Sequence, residues 1–182
     1  MKVSSLKFPG VFIIEPRIFE DNRGHFLETF QAQRYSKFGI PPKFVQDNVS
    51  YSRQGVLRGL HYQLRRHQGK LVCTVQGAIF DVVLDIRKSS PNFGKWTSMV
   101  LDSQEYRQLY VPEGFAHGFY VLSERATVIY KCTDYYEPQD ERGVFWDDPD
   151  LGINWPGKTP VLSEKDCAYL GLKDIPLDQL PE

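Results

Sequence analysis

The sequence predicts an all-β fold, an antiparallel sandwich or barrel, and three observations carry that prediction. Short runs of β-branched and aromatic residues follow one another from Val11 to Thr133, with Gly, Pro, Asn and Asp punctuating them. Stretches with helical periodicity are few and brief. The 182 residues contain no internal repeat, low-complexity tract or linker, so residues 1–182 read as a single domain. A chain of this size buries roughly 70% of its unfolded surface, enough for a substantial core.

Taken in order, residues 11–19 are β-branched and aromatic and end at the turn sequence Asp21-Asn22-Arg23-Gly24. Residues 25–30 read as the next strand. Residues 31–38 read as a short helix with Thr29 as its cap, stopped by Gly39 before Pro41-Pro42. Further strands are expected over 44–51, 56–63, 70–75, 79–86, 96–101, 107–111, 115–121 and 127–133. In 79–86 the residues Phe80, Val82, Leu84 and Ile86 share one face, and Asp81 and Asp85 the other. Residues 152–160 are loop-like. Ser163-Glu164-Lys165-Asp166 opens a short helix with Ser163 as cap.

Charge and cysteine content exclude several classes of function. With 22 basic and 23 acidic residues the net charge is −1, and no Lys/Arg run forms a nucleic-acid surface. No apolar run is long enough to span a bilayer, and Met1-Lys2-Val3-Ser4-Ser5 does not open a signal peptide. Cys73, Cys132 and Cys167 are odd in number and far apart, which fits reduced thiols in the cytoplasm rather than a disulfide framework or a CxxC metal site. The 12 Phe, 10 Tyr and 3 Trp must pack in a core, an interface or a binding site.

The segment Val56-Leu57-Arg58-Gly59-Leu60-His61-Tyr62-Gln63 concentrates the chemistry. Arg58 offers a planar cation suited to phosphate, and His61 can take and return a proton near neutral pH. Three positions apart, they fall on opposite faces of a regular strand. They serve one pocket only if Gly59 bulges or the chain bends. Phe44, Gln46, Asn48 and Ser50 share a face that is either a polar cavity or the solvent side. Phe115, His117 and Phe119 share another, and Tyr130 is the polar member of the Val128-Tyr130-Cys132 face, where a phenol would arrive protonated. A metal centre is disfavoured, because the second histidine of an H-x-H pair is replaced by Gln63.

These residues resemble the dTDP-4-dehydrorhamnose 3,5-epimerase family. The likeness is carried by Val56–Gln63, Gly69-Lys70-Leu71-Val72, Phe80-Asp81-Val82, Asp85-Ile86-Arg87, Val111-Pro112-Glu113-Gly114-Phe115-Ala116-His117-Gly118-Phe119, Tyr130-Lys131-Cys132-Thr133-Asp134-Tyr135-Tyr136 and Leu162-Ser163-Glu164-Lys165-Asp166. The resemblance implies a cupin-like double-stranded β-helix (jelly roll) with short flanking helices, a homodimer, and no metal or other cofactor. It implies inversion of C3 and C5 of dTDP-4-dehydro-6-deoxy-glucose on the route to dTDP-L-rhamnose, a sugar of polysaccharides such as O-antigen. In that reading His61 is the base, Asp166 supports its imidazole, Lys70 faces the developing oxyanion and Tyr130 is the acid. Arg23, Glu28, Gln46, Asn48, Arg58, His117, Glu141 and Lys165 match substrate-binding positions, with Arg23 and Arg58 on the diphosphate. Tyr136 matches the ring that stacks on thymine. The alternatives are an enzyme that inverts C3 or C5 alone, a ketoisomerase of similar barrel, a non-catalytic sugar-nucleotide sensor and a metal-dependent cupin.

Overall fold

Residues 1–182 are described by a computed structural model in which two antiparallel sheets face each other. Its strands are β1 (Lys2–Ser5), β2 (Phe12–Glu15), β3 (Ile18–Asp21), β4 (Gly24–Leu27), β5 (Gln46–Arg53), β6 (Leu57–Gln63), β7 (Lys70–Gln76), β8 (Ala78–Asp85), β9 (Trp96–Asp102), β10 (Gln108–Val111), β11 (Phe115–Val121), β12 (Arg125–Cys132) and β13 (Glu141–Gly143). The helices are α1 (Ala32–Tyr35) and α2 (Glu164–Cys167). One sheet runs β1-β2-β10-β7-β12-β5, the other β13-β6-β11-β8-β9, and β3 and β4 form a separate hairpin. This is the jelly roll that the resemblance implies.

The space between the sheets is apolar where Val72, Leu109 and Val128 of the first sheet meet Ile79, Val83, Phe115 and Phe119 of the second. Parts of the outer faces are covered as well. Val82, Leu84 and Ile86 pack under Leu172, Ile175 and Leu180 of the C-terminal tail. Leu71 and Tyr110 pack under Tyr35 and Ile40 beside α1. Strand β8 is therefore buried on both sides. Its Phe80-Val82-Leu84 face points away from the barrel, as does Ile86 just beyond it, and the face carrying Asp81 and Val83 points inward.

Two local expectations are corrected, and two strands lie outside the sequence pattern. Residues 11–19 are two strands, broken at Pro16, whose missing N–H cannot join a ladder. The first helix is capped by Gln31 rather than Thr29, the Gln31 side chain accepting from the Arg34 amide at 2.7 Å. Strands β1 and β13 were not legible, one being mostly exposed and the other only three residues long. Ser163 does cap α2, accepting from the Asp166 amide at 3.1 Å.

Candidate active site

A cavity of about 330 Å³ lies between the two sheets. From one side it is lined by Gln46, Asn48 and Ser50 of β5, Lys70 and Val72 of β7, and Val128, Tyr130 and Cys132 of β12. From the other come Arg58 and His61 of β6 and His117 and Phe119 of β11, with Tyr136 and Glu141 from the following chain. The amide-rich face of β5 is thus cavity wall, not solvent surface. Its opposite face carries the exposed Val49 and Tyr51.

The parity conflict between Arg58 and His61 is resolved by a bulge. His117 pairs with His61 and Phe119 with Arg58, so two residues of β6, Gly59 and Leu60, oppose the single Gly118 of β11. The extra residue returns both side chains to the same face. Glycine is required on both strands. Gly59 has φ +128°, and a Cβ there would stand 2.4 Å from Gly118 Cα. Arg58 Nε donates to Ser52 Oγ at 3.0 Å, which orients the guanidinium.

His61 Nε2 lies 2.5 Å from Asp166 Oδ1, the carboxylate being delivered by the capped turn of α2. Burial acts to raise the Asp166 pKa, but hydrogen bonds with His61 and Ser163 and the charge of Lys165 prevail and hold it below the usual carboxylate value. A carboxylate kept ionised against imidazole fixes the tautomer and supports the protonated ring. Asp166 engages Nε2 and leaves Nδ1 as the other ring nitrogen. Tyr130 stands on the facing sheet. Burial, with the neighbouring Cys132, raises its pKa, so the phenol keeps its proton.

Lys70 sits in the row formed with Cys132 and Gln46 across β7, β12 and β5. Burial lowers its pKa, partly offset by Cys132, Glu141 and Asp81, and no acidic side chain bonds its ammonium. It is a desolvated cation directed at a space between two sheets.

The remaining candidates divide by position. Glu141 accepts from Lys165 Nζ at 2.6 Å and from the Tyr136 hydroxyl at 2.8 Å. Burial works against ionisation of Glu141, yet these bonds hold its pKa low, while the same carboxylate pushes Tyr136 up to about 12. Gln46 accepts from the Tyr136 amide at 2.8 Å and donates to Asn48 at 2.9 Å. Arg23 and Glu28 do not reach the cavity of their own chain. Arg23 is exposed and forks onto Asp21 at 2.6–3.2 Å, and Glu28 pairs with Arg34 at 3.2 Å. Both lie on or beside the β3–β4 hairpin, outside the two main sheets.

Asp81 was not singled out as a site residue, although its place on the polar face of 79–86 was a visible signal. It is fully buried, and both of its oxygens lie within 2.9–3.0 Å of His117 Nε2. Gln63, which stands where an H-x-H pair would have its second histidine, has a structural task. Its amide donates to the carbonyls of Arg66 and Tyr135 and accepts from the Glu137 amide, fixing the loop that carries Tyr136.

The chain matches the dTDP-4-dehydrorhamnose 3,5-epimerase family model over residues 5–174. The dTDP-4-dehydrorhamnose 3,5-epimerase of Shigella flexneri is 51% identical over 168 residues, covering 91% of this chain and 93% of that protein. The Pseudomonas aeruginosa enzyme of the same name is 50% identical with the same coverage. The crystal structure of dTDP-6-deoxy-D-glucose-3,5-epimerase RmlC from Legionella pneumophila, in complex with dTDP-4-keto-L-rhamnose, superposes with a TM-score of 0.97 at 49% identity over 100% of this chain and 97% of that one. Likeness of this extent, on a fold whose cavity gathers a histidine–carboxylate pair, a desolvated lysine and a phenol, places the chain in the dTDP-4-dehydrorhamnose 3,5-epimerase family.

Proposed function

We propose that the 3,5-epimerisation of this family runs here with His61 as base and Tyr130 as acid. The observation that carries the assignment is their placement on opposed sheets, β6 and β12, across one cavity. Inversion requires a proton to leave one face of the sugar and return to the other. C3 and C5 of dTDP-4-dehydro-6-deoxy-glucose both flank the C4 ketone, so loss of either proton gives an enolate. His61 removes the proton, Lys70 stabilises the enolate oxygen and Tyr130 supplies a proton from the far side. Acid–base assistance of this kind is worth about 10²–10⁴-fold, and positioning with oxyanion stabilisation supplies more.

Arg58 and His117 hold the diphosphate and sugar, Gln46 and Asn48 meet the sugar nucleotide, and the Lys165–Glu141–Tyr136 chain sets the ring that stacks on thymine. Arg23 and Glu28 act in the cavity of a second subunit of a homodimer. Support for the dimer comes from exposed apolar residues on β5 (Val49, 71%) and on the hairpin (Phe26, 70%). Three cysteines without disulfides agree with a cytoplasmic enzyme.

The test is incubation with dTDP-4-dehydro-6-deoxy-glucose in D₂O, read by proton NMR. Deuterium at both C3 and C5, abolished by His61→Ala, is the expected outcome. Incorporation at one carbon would make the protein a mono-epimerase, and none would remove His61 as the base.

A further inference from the structure

Three residues beyond Asp166, just after α2, the ring of Tyr169 stands edge-on to the His61 imidazole, with centroids 5.8 Å apart and planes at 70°. The short helix α2 carries Asp166 and the chain leaving it carries Tyr169, so one short segment sets both against the same imidazole. The seat for the ring exists because residue 143 has no side chain. Gly143 pairs with His61 across β13 and β6, and a Cβ there would stand 2.3–2.5 Å from three carbons of the Tyr169 ring.

The segment is anchored on both sides of the ring. The Asp166 amide donates to Ser163 Oγ, and the Phe145 amide donates to the Leu170 carbonyl at 2.8 Å. The Tyr169 hydroxyl is buried and makes no hydrogen bond. What the site uses is the ring, since an unpaired buried hydroxyl costs stability. Tyr169 is not among the residues lining the cavity, so it acts through His61 rather than on substrate.

We infer that Tyr169 is a positioning residue for His61, holding the imidazole edge-on so that the ring stays in register with Asp166 and keeps one nitrogen for the substrate. The inference rests on His61 being the base. A base free to turn out of register binds substrate equally well but reacts less often, so the loss falls on kcat and not on KM.

The experiment compares Tyr169→Phe, Tyr169→Leu and Gly143→Ala, with His61→Ala in parallel, by steady-state kinetics, deuterium exchange at C3 and C5, and thermal melting. Tyr169→Phe keeps the ring, and is expected to retain kcat and KM and to melt no lower than the parent. Tyr169→Leu removes the aromatic edge, and is expected to lower kcat about tenfold with KM unchanged. Gly143→Ala displaces the ring without altering it and is expected to show the same split, which keeps the test decisive if Tyr169→Leu does not fold. Parental kcat in Tyr169→Leu or Gly143→Ala overturns the inference, as does a Tyr169→Phe variant as impaired as Tyr169→Leu. Persistence of exchange in His61→Ala would instead overturn His61 as the base.

Discussion

His117 Nε2 faces both carboxylate oxygens of Asp81, at 2.9 and 3.0 Å, inside the barrel beside the His61 strand pairing. The carboxylate engages Nε2 and leaves Nδ1 as the other ring nitrogen of a residue that lines the cavity. Asp81→Asn is near-isosteric but removes the charge from this bond. Charge assistance is worth about 1–1.5 kcal/mol, so affinity for dTDP is expected to fall about tenfold. Titration calorimetry checks this, and unchanged affinity would show that His117 keeps its orientation without the carboxylate.

Lys70 should set the basic limb of the kcat profile. Burial lowers its pKa, so the ammonium is lost as pH rises through a value below the ordinary lysine figure of about 10.4. Tyr130, shifted the opposite way, keeps its proton through that range. Lys70→Arg retains charge and should move the limb upward, while Lys70→Met should lower kcat by about 10²–10³-fold. The sign for stability is the reverse. A lysine whose pKa is depressed on folding opposes folding at neutral pH, and the cost is relieved as pH rises through the depressed value. Lys70→Met is therefore expected to melt higher than the parent at pH 7.

Tyr130→Phe separates the two halves of the reaction. His61 can still remove and return a proton on its own face, so deuterium exchange should continue while epimer formation falls by about 10²–10⁴-fold. Full epimerisation by this variant, followed by NMR, would remove Tyr130 as the acid.

Asp85 provides a stability test away from the cavity. It is fully buried and accepts from Arg87 Nε at 3.0 Å, Arg87 Nη2 at 2.6 Å and Ser90 Oγ at 2.7 Å. Burial acts to raise its pKa, but these bonds outweigh it and hold the group below the usual value. A depressed carboxylate contributes stability that is present above its unfolded pKa, about 3.9, and is lost as pH falls through the folded value. Asp85→Asn should cost about 2 kcal/mol at pH 7, less than for a fully buried pair because Arg87 keeps some contact with water. Denaturant melts at pH 7 and in acid should show that gap closing, and a gap independent of pH would contradict the assignment.

The dimer reading is checked by light scattering, where the expected mass is twice the 21.1 kDa of the chain. The double variant Val49→Lys, Phe26→Asp should shift the mass toward one chain. If Arg23 serves the partner's cavity, KM should rise in parallel with dissociation.

The strands, their punctuation and the chemistry of individual side chains were written locally. Alternation in 79–86, the turn at Asn22-Arg23-Gly24 and the Ser163 cap follow from backbone sterics and neighbouring residues alone, and each is where the sequence put it. The motifs around His61, His117 and Tyr130 were likewise enough to indicate the family. What the chain could not settle from local pattern was which side of a strand is inside. In a jelly roll both faces of β8 are covered, so the apolar face of 79–86 lies under the C-terminal tail and the carboxylate face turns inward to meet His117. The same holds for Arg58 and His61, which share a cavity only because β11 imposes a bulge where Gly59 and Gly118 touch. Asp166 and Tyr169 reach His61 from more than 100 positions away. Distances of that kind are decided by how sheets pack and which segments cover them, because burial is a property of the assembled layers and not of any stretch of sequence.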